Sequence, residues 1–385
     1  MHQVSIVGIG QIPIEKESRL SLRQMGARAV RLAMENAGVE QVDALFAGNM
    51  LADELQGQKH IATLIASEAD LAGVEALQVR AATATGAASL RMAYFAVASG
   101  EAELAVAMGV EKMSSAPATG VLAKALDAER EIPSGATLIS QNARLMQIYL
   151  ERYGVDYSAF ANFAVNAHRN AVTNPMALFH KQVTQEDVLQ SRMISPPIRL
   201  LDCSPICDGA AAVILAPADL ARTLADGPVH ILASSVATDR LVVDDRHDPL
   251  ALEAGRKSAQ AAYRRAGIRP GMVDFFEVHD AFSIMACLIL EACGFARPGE
   301  GWRLSAEGEI FREGKLPVST MGGLKARGHP IGATALYQTC EIVQQLTGQT
   351  GVNQLPDPQI AMLQSVGGAA ATVLTHIFAR DDQVP

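Results

Sequence analysis

Short continuous apolar runs alternate along the chain with stretches whose apolar residues recur every three or four positions. The first run, Val4-Ser5-Ile6-Val7-Gly8, predicts a strand over 3–9. Gly10-Gln11-Ile12-Pro13 leads from it into helical spacing through Ala27, Val30, Leu32 and Ala37, a helix over roughly 20–37 that Gly38 ends. The same reading gives strands at 42–48, 76–81 and 104–110 and helices at 57–69 and 86–99. Strands apolar on both faces and alternating with helices predict a parallel sheet covered on both sides.

Residues 115 to about 200 break this rhythm. They carry Pro117, Pro133, Pro175, Pro196 and Pro197, with helical stretches near 140–152 and 158–173. Such a segment reads as an insertion over the sheet, of the kind that builds a substrate lid. Asp208-Gly209-Ala210-Ala211-Ala212-Val213-Ile214-Leu215 then resumes a buried strand.

The second half echoes the first. Residues 29–39, followed by Val42-Asp43-Ala44-Leu45-Phe46, have a counterpart in Ala261–Ile268, followed by Val273-Asp274-Phe275-Phe276. The helix opened at Gly86 is echoed by one opened at Gly332, and strand 104–110 by 359–363. A duplicated unit of this length predicts two similar halves about a pseudo-twofold axis. His329 lies three residues before Gly332, and Thr83 three before Gly86. The two are therefore pseudo-equivalent, each at the mouth of a central helix.

The turn Gly328-His329-Pro330 opens the second of these helices, which runs through Leu336, Cys340, Ile342 and Leu346. Pro330 suits a helix start, where its missing N–H costs nothing. His329 would then face backbone donors and the positive end of the dipole, which favours a neutral imidazole. That suits proton transfer or an oxyanion contact. The competing reading is an N-terminal cap.

Composition narrows the function. At 385 residues the chain is long enough for two domains or one large duplicated one. A net charge of −9 argues against nucleic acid, and no apolar run reaches bilayer length. The chain enters a strand at once and ends in Asp-Asp-Gln-Val-Pro, neither a signal peptide nor a peroxisomal address, so the expected location is cytoplasmic. The five cysteines are Cys203, Cys207, Cys287, Cys293 and Cys340, with no zinc-finger spacing among them. They read as buried, inert thiols rather than metal ligands.

Taken together, Val278-His279-Asp280-Ala281-Phe282, Gly328–Ala333, Gly109-Val110-Glu111-Lys112-Met113-Ser114, Asp208–Ala212 and Asn174-Pro175 resemble the thiolase superfamily across essentially the whole chain. The match is closest to the sterol-carrier-protein-type and archaeal acetoacetyl-CoA thiolases. The resemblance implies an α/β fold of two duplicated βαβαβαββ halves in αβαβα layers: residues 1–115 plus 205–225, an inserted loop region at 116–204, and 226–385. It implies a homodimer or dimer of dimers, an acyl-CoA substrate, no separate cofactor, and a small OB-fold zinc-ribbon partner.

The resemblance also places the chemistry. His329 and His279 would stabilise negative charge on the thioester oxygen. Gly328, Gly367, Gly368 and Met113 would contact substrate or CoA. The family's nucleophilic Cys falls at Thr83, and its second Cys falls in Gln364-Ser365-Val366, making Ser365 a candidate. A Thr hydroxyl titrates far above neutral pH and needs a dedicated base, so thiolysis through an acyl-enzyme loses its usual nucleophile. Three readings follow. One is an acyl-CoA C–C bond enzyme that either runs a retro-aldol-type reaction without acyl-enzyme or uses Thr83 as a weak nucleophile. The second is an ordinary thiolase with a replaced nucleophile. The third is a non-catalytic acyl-CoA-binding subunit, against which the retained His279 and His329 count.

Overall fold

The computed structural model describes residues 2–381, and the C-terminal residues 382–385 weighed above as an address lie outside them. The first helix, Leu22–Ala37, starts on a capping box between Ser21 and Gln24 and closes on Gly38 at φ 67°. Its buried stripe of Met25, Ala29, Val30 and Ala33 faces the sheet. Nine strands form that sheet in the order Glu75–Val79, Ala44–Gly48, Ala105–Lys112, Asp208–Pro217, Val4–Gln11, Val229–Thr238, Thr372–Ala379, Ile360–Gly367, Phe275–Glu277.

Strand direction differs from the expectation. Ala44–Gly48 runs parallel to both its neighbours, as Phe275–Glu277 does to Ile360–Gly367, but every other pairing is antiparallel. The physical reason is that an apolar run reports burial on both faces, which helices impose here on strands of either direction. The halves join where Val4–Gln11 meets Val229–Thr238 at Ser5↔His230.

Three apolar cores define the layers. Leu22–Ala37 and Ile61–Glu68 cover one outer face, and Glu253–Ala266, Ser283–Ala292 and Leu138–Tyr153 cover the other. Between them lie the helices Thr85–Ser99 and Thr334–Leu346, whose Leu90, Ala93, Leu336 and Cys340 pack against strands of both halves. Outer helices, strands, the central helix pair, strands and outer helices follow one another, with the strands of both halves joined in the one nine-stranded sheet.

The halves interlock at glycine. A Cβ on Gly109 would stand 2.1 Å from the Gly332 carbonyl oxygen, and one on Gly332 2.8 Å from that of Gly48. No other residue permits this approach. Glu111 fastens it, accepting N–H bonds from Met50, Leu51 and Gly332 at 3.0–3.1 Å and from the Asn49 side chain at 3.0 Å. Burial pushes that carboxyl up to about 7.

One helix starts later than its sequence suggested. Pro330 precedes a single 3₁₀ turn, Ile331–Ala333, and the α-helix proper is Thr334–Leu346. His329 is thus five residues ahead of it, not in its first turn. The close approach of Gly332 to the other half absorbs the residues between.

Candidate active site

A cavity of about 300 Å³ opens over the mouths of the two central helices. Thr83, Met113, His279, His329 and Gly368 line it, so five of the positions singled out in the sequence meet in one place. Residues 116–204 supply much of the opposite wall, through Leu122, Leu138, Ile139, Asn142 and Leu200. Ile206, Phe282, Met285 and Ile331 make the rest predominantly apolar.

The imidazoles of His279 and His329 stand edge to face, with ring centroids 5.1 Å apart. His329 Nδ1 lies 2.7 Å from the hydroxyl of Thr334, and its backbone N–H reaches the sulfur of Cys207 at 3.2 Å. Nε2 is left without a hydrogen bond among the described residues. Burial, with His279 and Arg327 nearby, holds the ring well below the ordinary imidazole range. The neutral state therefore has a cause other than the helix dipole the sequence suggested.

His279 differs. Among the described residues its buried Nδ1 has no hydrogen-bond partner, and burial alone holds the ring at about 3. Asp280, its neighbour, is spent elsewhere: its carboxylate accepts the Leu324 N–H at 2.7 Å and faces the buried Lys325.

Thr83 is 5% exposed and its hydroxyl is committed. It donates to the Val366 carbonyl at 2.6 Å and accepts the Gly368 N–H at 3.1 Å. The oxygen fastens the glycine stretch at 367–368 to the Thr85–Ser99 helix mouth.

Three sequence candidates stand apart from the cavity. Ser365 is fully buried, and its hydroxyl has no hydrogen-bond partner among the described residues. Gly367 packs its α-carbon against the Ala81 carbonyl, and Gly328, at φ 121°, packs against Ile14 and Cys207. Their roles are backbone geometry, with no wall of the cavity assigned to them.

Cys203 departs from the reading of buried thiols in its exposure alone. The other four are buried away from the cavity, but Cys203 is half-buried and lines it. Its Sγ lies 3.5 Å from the Arg199 carbonyl, and burial pushes the thiol up to about 11, so it stays protonated at neutral pH. An isolated bridge to Phe282 places it beside the His279 turn, a long-range contact that no local spacing encodes. Asn142 was missed for the same reason. Among the described residues no group of three His, Cys, Asp or Glu side chains is placed to hold a metal.

The motif residues outside the cavity shape its walls. Asp208 accepts from Ser18 N, Ser114 N and Ser114 Oγ at 2.6–2.9 Å, pinning the end of Ala105–Lys112. Asn174 donates to Met321 O at 2.8 Å, and Lys325 donates to Asp202 O beside Cys203. Below them Arg327 is fully buried, with Glu341 at 3.4 Å and the Tyr337 ring 5.2 Å away.

Comparison with known proteins agrees with this architecture. The thiolase N-terminal domain model matches residues 4–219, and the thiolase C-terminal domain-like model matches 235–380. An acetyl-CoA acetyltransferase of Methanothermobacter thermautotrophicus is 42% identical over 383 residues, covering 99% of this chain and all of the relative. Sterol carrier protein 2 of Bos taurus is 29% identical over 97% of this chain and 72% of its own length. Among solved structures, the Ltp2-ChsH2(DUF35) aldolase superposes with a TM-score of 0.87 at 25% identity, covering all of this chain and 99% of that one. Matched in both halves by its domain models, the chain belongs to the thiolase family.

Proposed function

We propose that this chain breaks or makes the C–C bond next to a CoA thioester without an acyl-enzyme, as a retro-aldol or aldol enzyme. The observation that carries the reading is Thr83: its proton is given to Val366 O and its oxygen receives Gly368 N–H, at the position where a covalent thiolase holds its thiolate. The similarity to a solved aldolase supports it.

In this reading a β-hydroxyacyl-CoA enters the cavity with its thioester oxygen at His329. The β-hydroxyl gives its proton to His279, whose ring no hydrogen bond fixes. The Cα–Cβ bond breaks, its electron pair passes into the thioester as an enolate, and Cβ leaves as the carbonyl product. The proton then returns from His279 to Cα. A weak base suffices, because the hydroxyl becomes strongly acidic as it turns into a protonated carbonyl. The enolate charge forms against neutral donors in an apolar, buried setting, where such contacts count most.

The reading extends to a CoA thioester as substrate with no separate cofactor, a cytoplasmic location, and a homodimer or dimer of dimers. It includes a small OB-fold zinc-ribbon partner. The DUF35 component in the name of the solved aldolase supports a partner of some kind.

The test is a mass-spectrometric screen of CoA thioesters with the purified chain, alone and with a candidate partner, run beside a radiolabelled acetyl-CoA trap. Cleavage of β-hydroxyacyl-CoA into a shorter acyl-CoA and a carbonyl compound, with no label retained on the protein, is expected. A stable labelled acyl-enzyme, on Cys203 or elsewhere, overturns the non-covalent reading.

A further inference from the structure

What His329 can do depends on which ring nitrogen carries its proton. With Nε2–H it donates to an oxyanion; with Nδ1–H it offers the cavity a lone pair and acts as a base. The Thr334 hydroxyl decides between them. It has one proton and two neighbours able to take it: His329 Nδ1 at 2.7 Å and the Pro330 carbonyl at 3.3 Å. The imidazole is the closer partner by 0.6 Å, and 3.3 Å makes the bond to the carbonyl a long one for a hydroxyl, whose bonds to oxygen run from about 2.5 to 3.0 Å.

We propose that Thr334 donates to His329 Nδ1 and so fixes the Nε2–H tautomer, making His329 a donor to the thioester oxygen and not a base. Thr334 is fully buried, so water does not compete for its hydroxyl. It is the first residue of the helix Thr334–Leu346, and the 3₁₀ turn Ile331–Ala333 sets its distance from His329. The other anchor of His329, Cys207, takes only the backbone N–H and leaves the ring to Thr334. His279 has no such device, which divides the labour between the rings: one fixed as a donor, one free to take and return a proton. Thr334 is a positioning residue in this scheme. Its catalytic use rests on the function proposed above; the tautomer does not.

The experiment is two-bond ¹H–¹⁵N correlation on the full chain with ¹⁵N-labelled histidine, with His329→Gln identifying which signals belong to His329. Wild type is expected to show the Nε2–H pattern. Thr334→Val, which keeps the shape and removes the hydroxyl, is expected to lose that pattern, and Thr334→Ser to keep it. With a turned-over substrate, Thr334→Val is expected to lower kcat by about tenfold or more, toward the ~10²–10³ of an outright lost oxyanion donor. KM should move little, and Thr334→Ser should restore the rate. An Nδ1–H pattern in wild type, or an unchanged pattern in Thr334→Val, overturns the proposal. Should Thr334→Val fail to fold, the wild-type spectrum still decides. An Nε2–H ring in a chain that cleaves no CoA thioester leaves the tautomer standing and removes the proposed function.

Discussion

The two central helix mouths occupy equivalent places in a duplicated fold and hold their side chains in opposite ways. At the first, Thr83 spends its hydroxyl on Val366 O and Gly368 N, with donor and acceptor capacity both used within the protein. At the second, one nitrogen of His329 is engaged by Thr334 and the other is left to the cavity. One mouth has become scaffold, the other keeps a free polar atom in an apolar pocket. A buried polar group fully paired within the protein stabilises the fold; one left half paired is available for chemistry.

The largest effect should come from the free side of that comparison. His329→Ala is expected to cut thioester-dependent turnover by about a hundredfold or more, the loss seen when a single oxyanion donor is removed. Steady-state kinetics with the substrate found in the screen would measure it. A change of only a few-fold would make His329 as structural as Thr83.

Thr83→Cys tests the other side. A thiol fits the space with about 1 kcal/mol of strain and bonds more weakly to Val366 O and Gly368 N, freeing its sulfur at the helix mouth. The variant is expected to gain an acylated thiol with acetyl-CoA, read by intact mass, and measurable thiolysis of acetoacetyl-CoA. Wild type should show little of either. A folded, CoA-binding Cys variant that never acylates would mean the surrounding groups have also diverged, and ordinary thiolysis by wild type would sink the argument from Thr83.

How much of this was written in the sequence follows from the range of each interaction. Helices with local stop signals, such as Gly38 and Gly100, and strands with continuous apolar runs were legible because their causes lie within a few residues. The repeated spacing around Gly86 and Gly332 disclosed the paired mouths, and the motif set brought Thr83, Met113, His279, His329 and Gly368 to one cavity. Strand direction was not legible, since burial on two faces looks alike in either direction. Neither was the place of Cys203, set by a bridge to Phe282, nor the role of Ser365, whose strand turns it away from the cavity. The delayed helix start at Thr334 depends on Gly332 meeting Gly109 and Gly48 in the other half, a contact that turn residues cannot announce.

A smaller effect concerns the wall facing both mouths. Residues 116–204 line the cavity through Leu122, Leu138 and Asn142, so CoA or an acyl-CoA should slow protease cleavage of this region several-fold. Mapping the fragments with and without ligand checks this. Equal rates would make the region a fixed wall for both mouths and not a lid.

The smallest effect is on stability against pH, through the carboxyl that ties the His329 mouth to the other half. Glu111 is fully buried and raised to about 7 from an ordinary 4.5, with burial outweighing the N–H groups of Met50, Leu51 and Gly332. Between those values the folded protein holds a proton that the unfolded chain has lost, so this group's contribution is greatest on the acid side. It falls as pH rises toward 7 and is flat above. Buried histidines such as His279 and His376, held at about 3, act with the opposite sign below the ordinary imidazole value, so the wild-type slope alone decides nothing. The informative quantity is wild type minus Glu111→Gln. Its melting-temperature difference should fall by about 1–2 °C per pH unit between 5 and 7. A difference that rises with pH would mean the N–H donors keep Glu111 ionised in the fold. The joint between the mouths would then be held by a full charge on Gly332 and its neighbours, not by a neutral acid.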